Sequence, residues 1–345
     1  MPQSTDDILL ARTLFLTIFQ IFNLALMILL ILVVYRTWQQ MVSHVPTNKS
    51  RIRQVRAGTR RSIVPPGRSQ VVCATASKPG RPANQDVADH CVVKDSLILV
   101  LADGVTHSGD GFGAASVAVQ EAMQQAGQWV SFWASLQTQR QQPVDGRMSL
   151  SNLVTPRDSQ QYCPTAQEWH EAATALVNQV ACHMQKTMKP LRPQVGQIPA
   201  CTLVLVIVRP LSAGRYQLLW TAVGDSSAAV VPVGGDKAKW LLNEDRGVAE
   251  RGDAMGGNIT QALPVGYQTS DIESGVQDLA SGDVVLLASD GFKKPALAGV
   301  NAQIFMEYVG ASEDVDEWKR TLQDWANQAA TLTHDDSTVI AWRAL

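Results

Sequence analysis

Four aspartates stand beside glycines or at the margins of short apolar runs. Asp103 follows Leu97–Ala102 in Ala102-Asp103-Gly104, and Asp225 follows Leu218–Val223 in Val223-Gly224-Asp225-Ser226. Asp290 follows Val284–Ala288 in Ala288-Ser289-Asp290-Gly291, and Asp335 precedes Thr338–Trp342 in His334-Asp335-Asp336-Ser337. One such carboxylate is ordinary, because turns favour Asp-Gly. Several strand ends gathered at one edge of a core would instead form an oxygen-rich nest, which suits hard cations such as Mg²⁺ or Mn²⁺. Upstream lies Arg81-Pro82-Ala83-Asn84-Gln85-Asp86, whose guanidinium has the planar fork that fits a phosphate. Taken singly, each motif is also what a surface turn would show. The ordered set points to metal-assisted chemistry on a phosphate group.

The elements that must position these residues are short strands rich in valine and leucine: Gln70–Ala76, His90–Val93, Leu97–Ala102, Thr202–Val208, Tyr216–Val223, Ala228–Val233, Val284–Ala288 and Thr338–Trp342. Apolar residues at spacings of three and four predict a helix through Ala166, Trp169, Ala173, Leu176, Val180 and Met184. The same spacing predicts another through Val315, Trp318, Leu322, Trp325, Ala329 and Leu332. A weaker stripe runs through Ala118, Ala122, Trp129 and Trp133. Residues 134–164, polar, glutamine-rich and holding Pro143, Gly146, Pro156 and Pro164, read as a long loop. Strands, two helices, strands, helix and strand, in that order, argue against regular β-α-β alternation and for an α+β layered domain.

Charge divides the 345 residues further. The formal −2 of the chain resolves into −1 over residues 1–35, +8 over 36–68 and −9 over 69–345. An acidic domain repels nucleic acid and attracts divalent cations. The five cysteines, Cys73, Cys91, Cys163, Cys182 and Cys201, form no C-x-x-C pair, which argues against a disulfide framework or a zinc site. Leu14 to Tyr35 carries no charge and is apolar all round, long enough to span a bilayer. Eight basic residues follow it and only Arg12 precedes it, so the expected orientation puts the C-terminal side in the cytoplasm. The expected organisation is a short tail (1–13), a transmembrane helix (14–35), a basic linker (36–68) and a catalytic domain (69–345). The expected location is the inner (plasma) membrane.

In order, the chain shows Arg81-x-x-Asn84-Gln85-Asp86, Ala102-Asp103-Gly104, Gly113-Ala-Ala-Ser116, Thr202 in an apolar strand, and Val223-Gly224-Asp225-Ser226. Asn258-Ile-Thr-Gln-Ala-Leu263, Ala288-Ser289-Asp290-Gly291 and Asp335-Asp336-Ser-Thr-Val-Ile340 follow. Over residues 70–343 this resembles the bacterial branch of the metal-dependent type 2C serine/threonine protein phosphatases. The resemblance implies an α-β-β-α sandwich, two antiparallel sheets face to face with helices outside and a metal site at one end. It implies that Asp103 bridges two Mg²⁺ or Mn²⁺ ions, that the Gly104 carbonyl adds a ligand, and that Asp290 and Asp335 bind the second ion. Asp86 would support the site, Asp225 would help hold a third, weaker ion, and Arg81 would hold the substrate phosphate. Substrates would be phosphoserine and phosphothreonine proteins, hydrolysed by a metal-activated water, with an opposing Ser/Thr kinase in the same pathway.

The chain departs from the family pattern at several points. Gln85 stands where many members have glutamate, Ser227 replaces a common arginine, Asp336 replaces a common asparagine, and Pro199-Ala200-Cys201 replaces a glycine-containing turn. Val105-Thr106-His107 lacks the usual general-acid histidine, and Asn243–Asn258 is short for the flap over the substrate. These departures keep two alternatives open: a weak or inactive module with a regulatory or binding role, and a metal-dependent hydrolase of another phosphate ester.

Overall fold

Leu97–Ala102, Leu203–Val208 and Val284–Ala288 read as unbroken apolar runs because both of their faces are covered. The computed structural model describes residues 71–81, 83–105, 110–141, 162–188, 198–212, 214–233, 239–241, 261–296 and 315–344. The chain divides into residues 1–60 and 61–345, and every described residue lies in the second unit. Among the described residues, ten strands form two antiparallel sheets. The first has the order β1 (Val71–Ala76), β10 (Ser337–Arg343), β9 (Val284–Ala288), β6 (Ser227–Val231) and β7 (Lys239–Trp240). The second has the order β2 (Val87–Val93), β3 (Ser96–Ala102), β4 (Leu203–Ser212), β5 (Arg215–Val223) and β8 (Glu273–Ala280).

Alternation along each strand sorts its side chains into three layers, since successive residues point to opposite faces. Leu97, Leu99 and Leu101 of β3 meet Val285 and Leu287 of β9 and Ile340 and Trp342 of β10 in the core between the sheets. Tyr216 and Trp342 close that core edge to face, with ring centroids 5.3 Å apart. Ile98, Val100 and Ala102, on the other face of β3, pack beneath helices α1 (Gly111–Gln141) and α2 (Ala166–Thr187). Val284, Leu286 and Ala288, on the other face of β9, pack beneath α4 (Val315–Thr333), which follows the short α3 (Asp290–Ala296). The result is the expected sandwich with helices on its outer faces. Burying one Leu or Val in these layers contributes about 1.5–3 kcal/mol relative to leaving it in water.

The helices follow their sequence signals. Thr165 caps α2 by accepting from the Glu168 N–H at 3.2 Å, and Glu168 returns the bond to the Thr165 N–H at 2.7 Å. This reciprocal box satisfies two N–H groups that a helix start leaves unpaired. In α1, Ala114, Ala115, Ala118, Ala122 and Ala126 are buried at spacings of one to four residues. Their small side chains let this long helix lie close on the sheet.

Two expectations need correction. Residues 134–141 belong to α1 rather than to a loop. They are free of proline and glycine, and the first breaker is Pro143. Strand β8 was not expected at all, because an edge strand that is half exposed carries Ser274, Gly275, Gln277 and Asp278 in place of an apolar run. The expected transmembrane helix (14–35), the expected basic linker (36–68) and the stretch Asn243–Asn258 fall outside the described residues. Among the described residues, no helix is long and apolar enough to cross a membrane.

Candidate active site

Register brings the aspartates to one end of the sandwich. In the first sheet, Thr75 of β1 pairs with Thr338 of β10, Val339 of β10 pairs with Ala288 of β9, and Ala288 also pairs with Ser227 of β6. Asp290 leaves the end of β9, and Asp335 enters β10 beside it. In the second sheet, Val87 pairs with Ala102 and Leu203 with Val223. Asp86 therefore enters β2 where Asp103 leaves β3, and Asp225 leaves β5 two strands further on. The three-residue turn 224–226 joins the second sheet to the first at this same end.

Gly104 and Gly111 meet backbone to backbone and seat the start of α1 on the Asp103 turn. A Cβ on Gly104 would stand 2.5 Å from the Gly111 carbonyl and 2.8 Å from the Gln85 carbonyl. Gly104 also bridges to Cys201, which bridges in turn to Leu263.

The carboxylates repel one another in a poorly hydrated place. Burial, then Asp86, Asp290 and Asp225, hold the Asp103 carboxyl well above the usual carboxylate range. Asp103 keeps some accessible surface, but its carboxyl is crowded by protein, and the crowding decides its pKa. Burial foremost also raises Asp86, against the opposing effect of Asp103, Ser289 and Thr338 beside it. Asp335 is raised by burial and by Asp290, with the Asp336 N–H and Arg81 pulling the other way.

Both carboxyl oxygens of Asp86 and the amide oxygen of Gln85 are buried without a well-formed hydrogen bond among the described residues, although the Ser289 and Thr338 hydroxyls stand near Asp86. Buried acceptors left so cost free energy unless something positive satisfies them. This all-oxygen donor set fits a hard divalent cation in its chemistry. Among the described residues no three of the carboxylates are drawn together tightly enough, as they stand, to ligate one ion.

Several residues that carried no role in the sequence hold the site in shape. Asn84 donates from Nδ2 to Thr75 Oγ1, to the Ala76 carbonyl at 3.1 Å and to Thr338 Oγ1 at 3.2 Å, and its Oδ1 accepts from the Asp86 N–H at 2.7 Å. Thr202 exchanges bonds with the Asp103 backbone: its N–H donates to the Asp103 carbonyl at 2.8 Å, and its Oγ1 accepts from the Asp103 N–H at 3.2 Å. The same Oγ1 lies 2.6 Å from Ser226 Oγ, tying the Asp103 and Asp225 turns together. Lys293 donates to Ser227 Oγ at 2.9 Å, so α3 places a cation beside the residue that follows the 224–226 turn. Arg81, expected to face phosphate, pairs with buried Asp336. The Asn84–Thr338 bond and the three donors to the Asp336 carboxylate were legible only as residue types, because those partners lie about 250 positions apart in sequence. His107 falls outside the described residues.

A family model described as protein phosphatase 2C matches residues 78–336, more than half of the chain. No curated protein matches. Among solved structures, the S. agalactiae serine/threonine phosphatase is 18% identical with a TM-score of 0.53, the alignment covering 80% of this chain and 99% of that one. A bacterial serine phosphatase is 13% identical with a TM-score of 0.51, covering 80% and 98%. At these identities the structures speak to the fold. With the fold, the register and the family model in agreement over the same residues, the chain belongs to the protein phosphatase 2C family.

Proposed function

We propose that this protein is a metal-dependent phosphoprotein phosphatase acting on phosphoserine and phosphothreonine, tethered to a membrane by residues 14–35. The observation that carries the reading is the convergence of Asp86, Asp103, Asp225 and Asp290 at one sandwich end, with Asp86 oxygens buried without a well-formed hydrogen bond. Asp103 and the Gly104 carbonyl would hold one Mg²⁺ or Mn²⁺, and Asp103, Asp290 and Asp335 a second. Asp86 would support the pair, and Asp225 would help hold a third. Bound there, the ions would supply a water acidic enough to ionise near neutral pH and would draw charge from the phosphoryl oxygens. Arg81, at the same end, would bind the phosphate and orient it, and Thr202 would keep the Asp103 backbone from shifting as charge builds up.

The test is turnover of phosphoserine and phosphothreonine peptides by the full-length protein with Mg²⁺ or Mn²⁺, before and after exhaustive chelation. Activity is expected only with metal, restored when metal is returned. Turnover that survives chelation would sink the mechanism. Metal binding without turnover would favour the regulatory-module reading, and turnover of small phosphate esters alone would favour a different substrate.

The membrane reading rests on the uncharged run 14–35 and on the excess of basic residues after it. A tether would favour substrates that are themselves at the membrane, by effective concentration rather than new contacts. Detergent is expected to be required for extraction, and a reporter fused after Leu345 to be active only in the cytoplasm. Release by carbonate alone, or an external reporter signal, would refute it.

A further inference from the structure

Asp336 is 2% exposed and lies immediately after Asp335. A carboxylate so placed survives only if its lone pairs are taken up, and here three donors reach it. Oδ1 accepts from the Lys78 N–H at 2.8 Å. Oδ2 accepts from the Gln85 N–H at 2.8 Å and from Arg81 Nη1. Its own N–H donates to Asp335 Oδ1 at 2.9 Å. The side chain thus gathers both ends of the 78–85 stretch and its arginine, and the backbone N–H of the same residue holds the neighbouring carboxylate of the metal end.

We infer that Asp336 is a positioning residue for phosphate: it holds the Arg81 guanidinium and the 78–85 segment in one fixed relation to Asp335. The inference rests on the reading of Arg81 as the phosphate-binding residue. A side chain as long as arginine loses rotamer freedom when it binds a ligand. Arg81, whose side chain is 14% exposed, gives up much of that freedom in the fold through Asp336. A guanidinium has five N–H donors in a fixed fork, and Asp336 takes one of the two on Nη1. Asparagine at 336 cannot do the same. Its carbonyl oxygen can serve one side, but its NH₂ would then face donors on the other, so either the Lys78 contact or the Gln85 and Arg81 contacts are lost. The common family asparagine therefore does not supply the contacts that this chain's aspartate makes.

The test is a double-mutant cycle on the full-length protein: wild type, Asp336→Asn, Arg81→Ala and the double variant. Two quantities are read. One is the dissociation constant for inorganic phosphate, by calorimetry in Mg²⁺ buffer. The other is KM and kcat on a phosphopeptide. Asp336→Asn is expected to weaken phosphate binding about tenfold, the scale of one charge-assisted hydrogen bond, and to raise KM more than it lowers kcat. In the Arg81→Ala background the same change is expected to have no further effect on phosphate affinity. Equal losses in both backgrounds would overturn the inference, because Asp336 would then act on the fold rather than through Arg81. Tighter phosphate binding by Asp336→Asn would also overturn it, since the carboxylate would be competing with the phosphate. A wild-type protein that binds phosphate with this pattern but does not turn over would leave the positioning role standing and remove the phosphatase reading. A wild-type protein that binds no phosphate would remove both.

Discussion

Asp103→Asn is expected to fold and yet to hydrolyse phosphopeptides at least about 10²–10³-fold more slowly than the wild type, the scale of removing one preorganised stabiliser of transition-state charge. Asp103 is the carboxylate on which three others converge: Asp86, Asp290 and Asp225 all raise its pKa. In the proposed site it would serve both ions, so losing its charge would weaken both.

Stability is expected to move the other way in metal-free protein. The folded state holds the Asp103 proton more tightly than the unfolded chain, whose Asp ionises near pH 4. As pH rises above that value, the unfolded state loses a proton that the folded state keeps. Stability therefore falls from about pH 4 upward until the raised folded pKa is passed. Asn cannot ionise, so the metal-free variant is expected to melt at or above the wild-type temperature at pH 7–8, with the difference closing towards pH 4. Melting curves across that range and steady-state kinetics with Mg²⁺ or Mn²⁺ make the check. Turnover within tenfold of the wild type would show that Asp103 does not have the central place assigned to it.

How much of this was legible in the sequence depends on the range of the interaction. β3, β4, β9 and β10 could be read because burial on both faces leaves a local mark, an unbroken apolar run. The α2 helix could be read because its stripe is local too. β8 left no such mark, since an edge strand tolerates polar residues on its open side. The aspartates could be found as residue types at strand ends, but that they face one another follows only from register, which joins Asp86 to Asp103 through the Val87–Ala102 pair and Asp290 to Asp335 through Ala288–Val339. Asp336 was visible only as a departure from a common asparagine. Its three donors come from residues 251–258 positions earlier, and no pattern at that distance announces a hydrogen bond.

Gly291→Ala is expected to cost about 1–3 kcal/mol of stability, the range in which forced overpacking typically falls, and to lower Tm by about 2–12 °C. The added Cβ would stand 1.9 Å from the Asp336 carbonyl oxygen and 3.0 Å from its carbon, so backbone must move. Little slack exists there. The Ser289 N–H donates to the Thr338 carbonyl at 3.0 Å, and the Thr338 N–H donates back to Ser289 Oγ at 2.9 Å. Pushing the start of α3 away from the start of β10 breaks that pair and also separates Asp290 from Asp335. The variant is therefore expected to lose metal affinity together with stability, and added Mg²⁺ or Mn²⁺ should recover less Tm than in the wild type. Gly127→Ala is the control. It lies inside α1, where a Cβ would meet Val93 Cγ2 at an ordinary 3.6 Å, and where alanine favours helix over glycine by about 1 kcal/mol. That variant should melt slightly higher than the wild type. If Gly291→Ala instead melts within a degree or two of the wild type and keeps its metal response, the close contact between Gly291 and Asp336 does not exist in solution, and the joining of Asp290 to Asp335 must come from elsewhere.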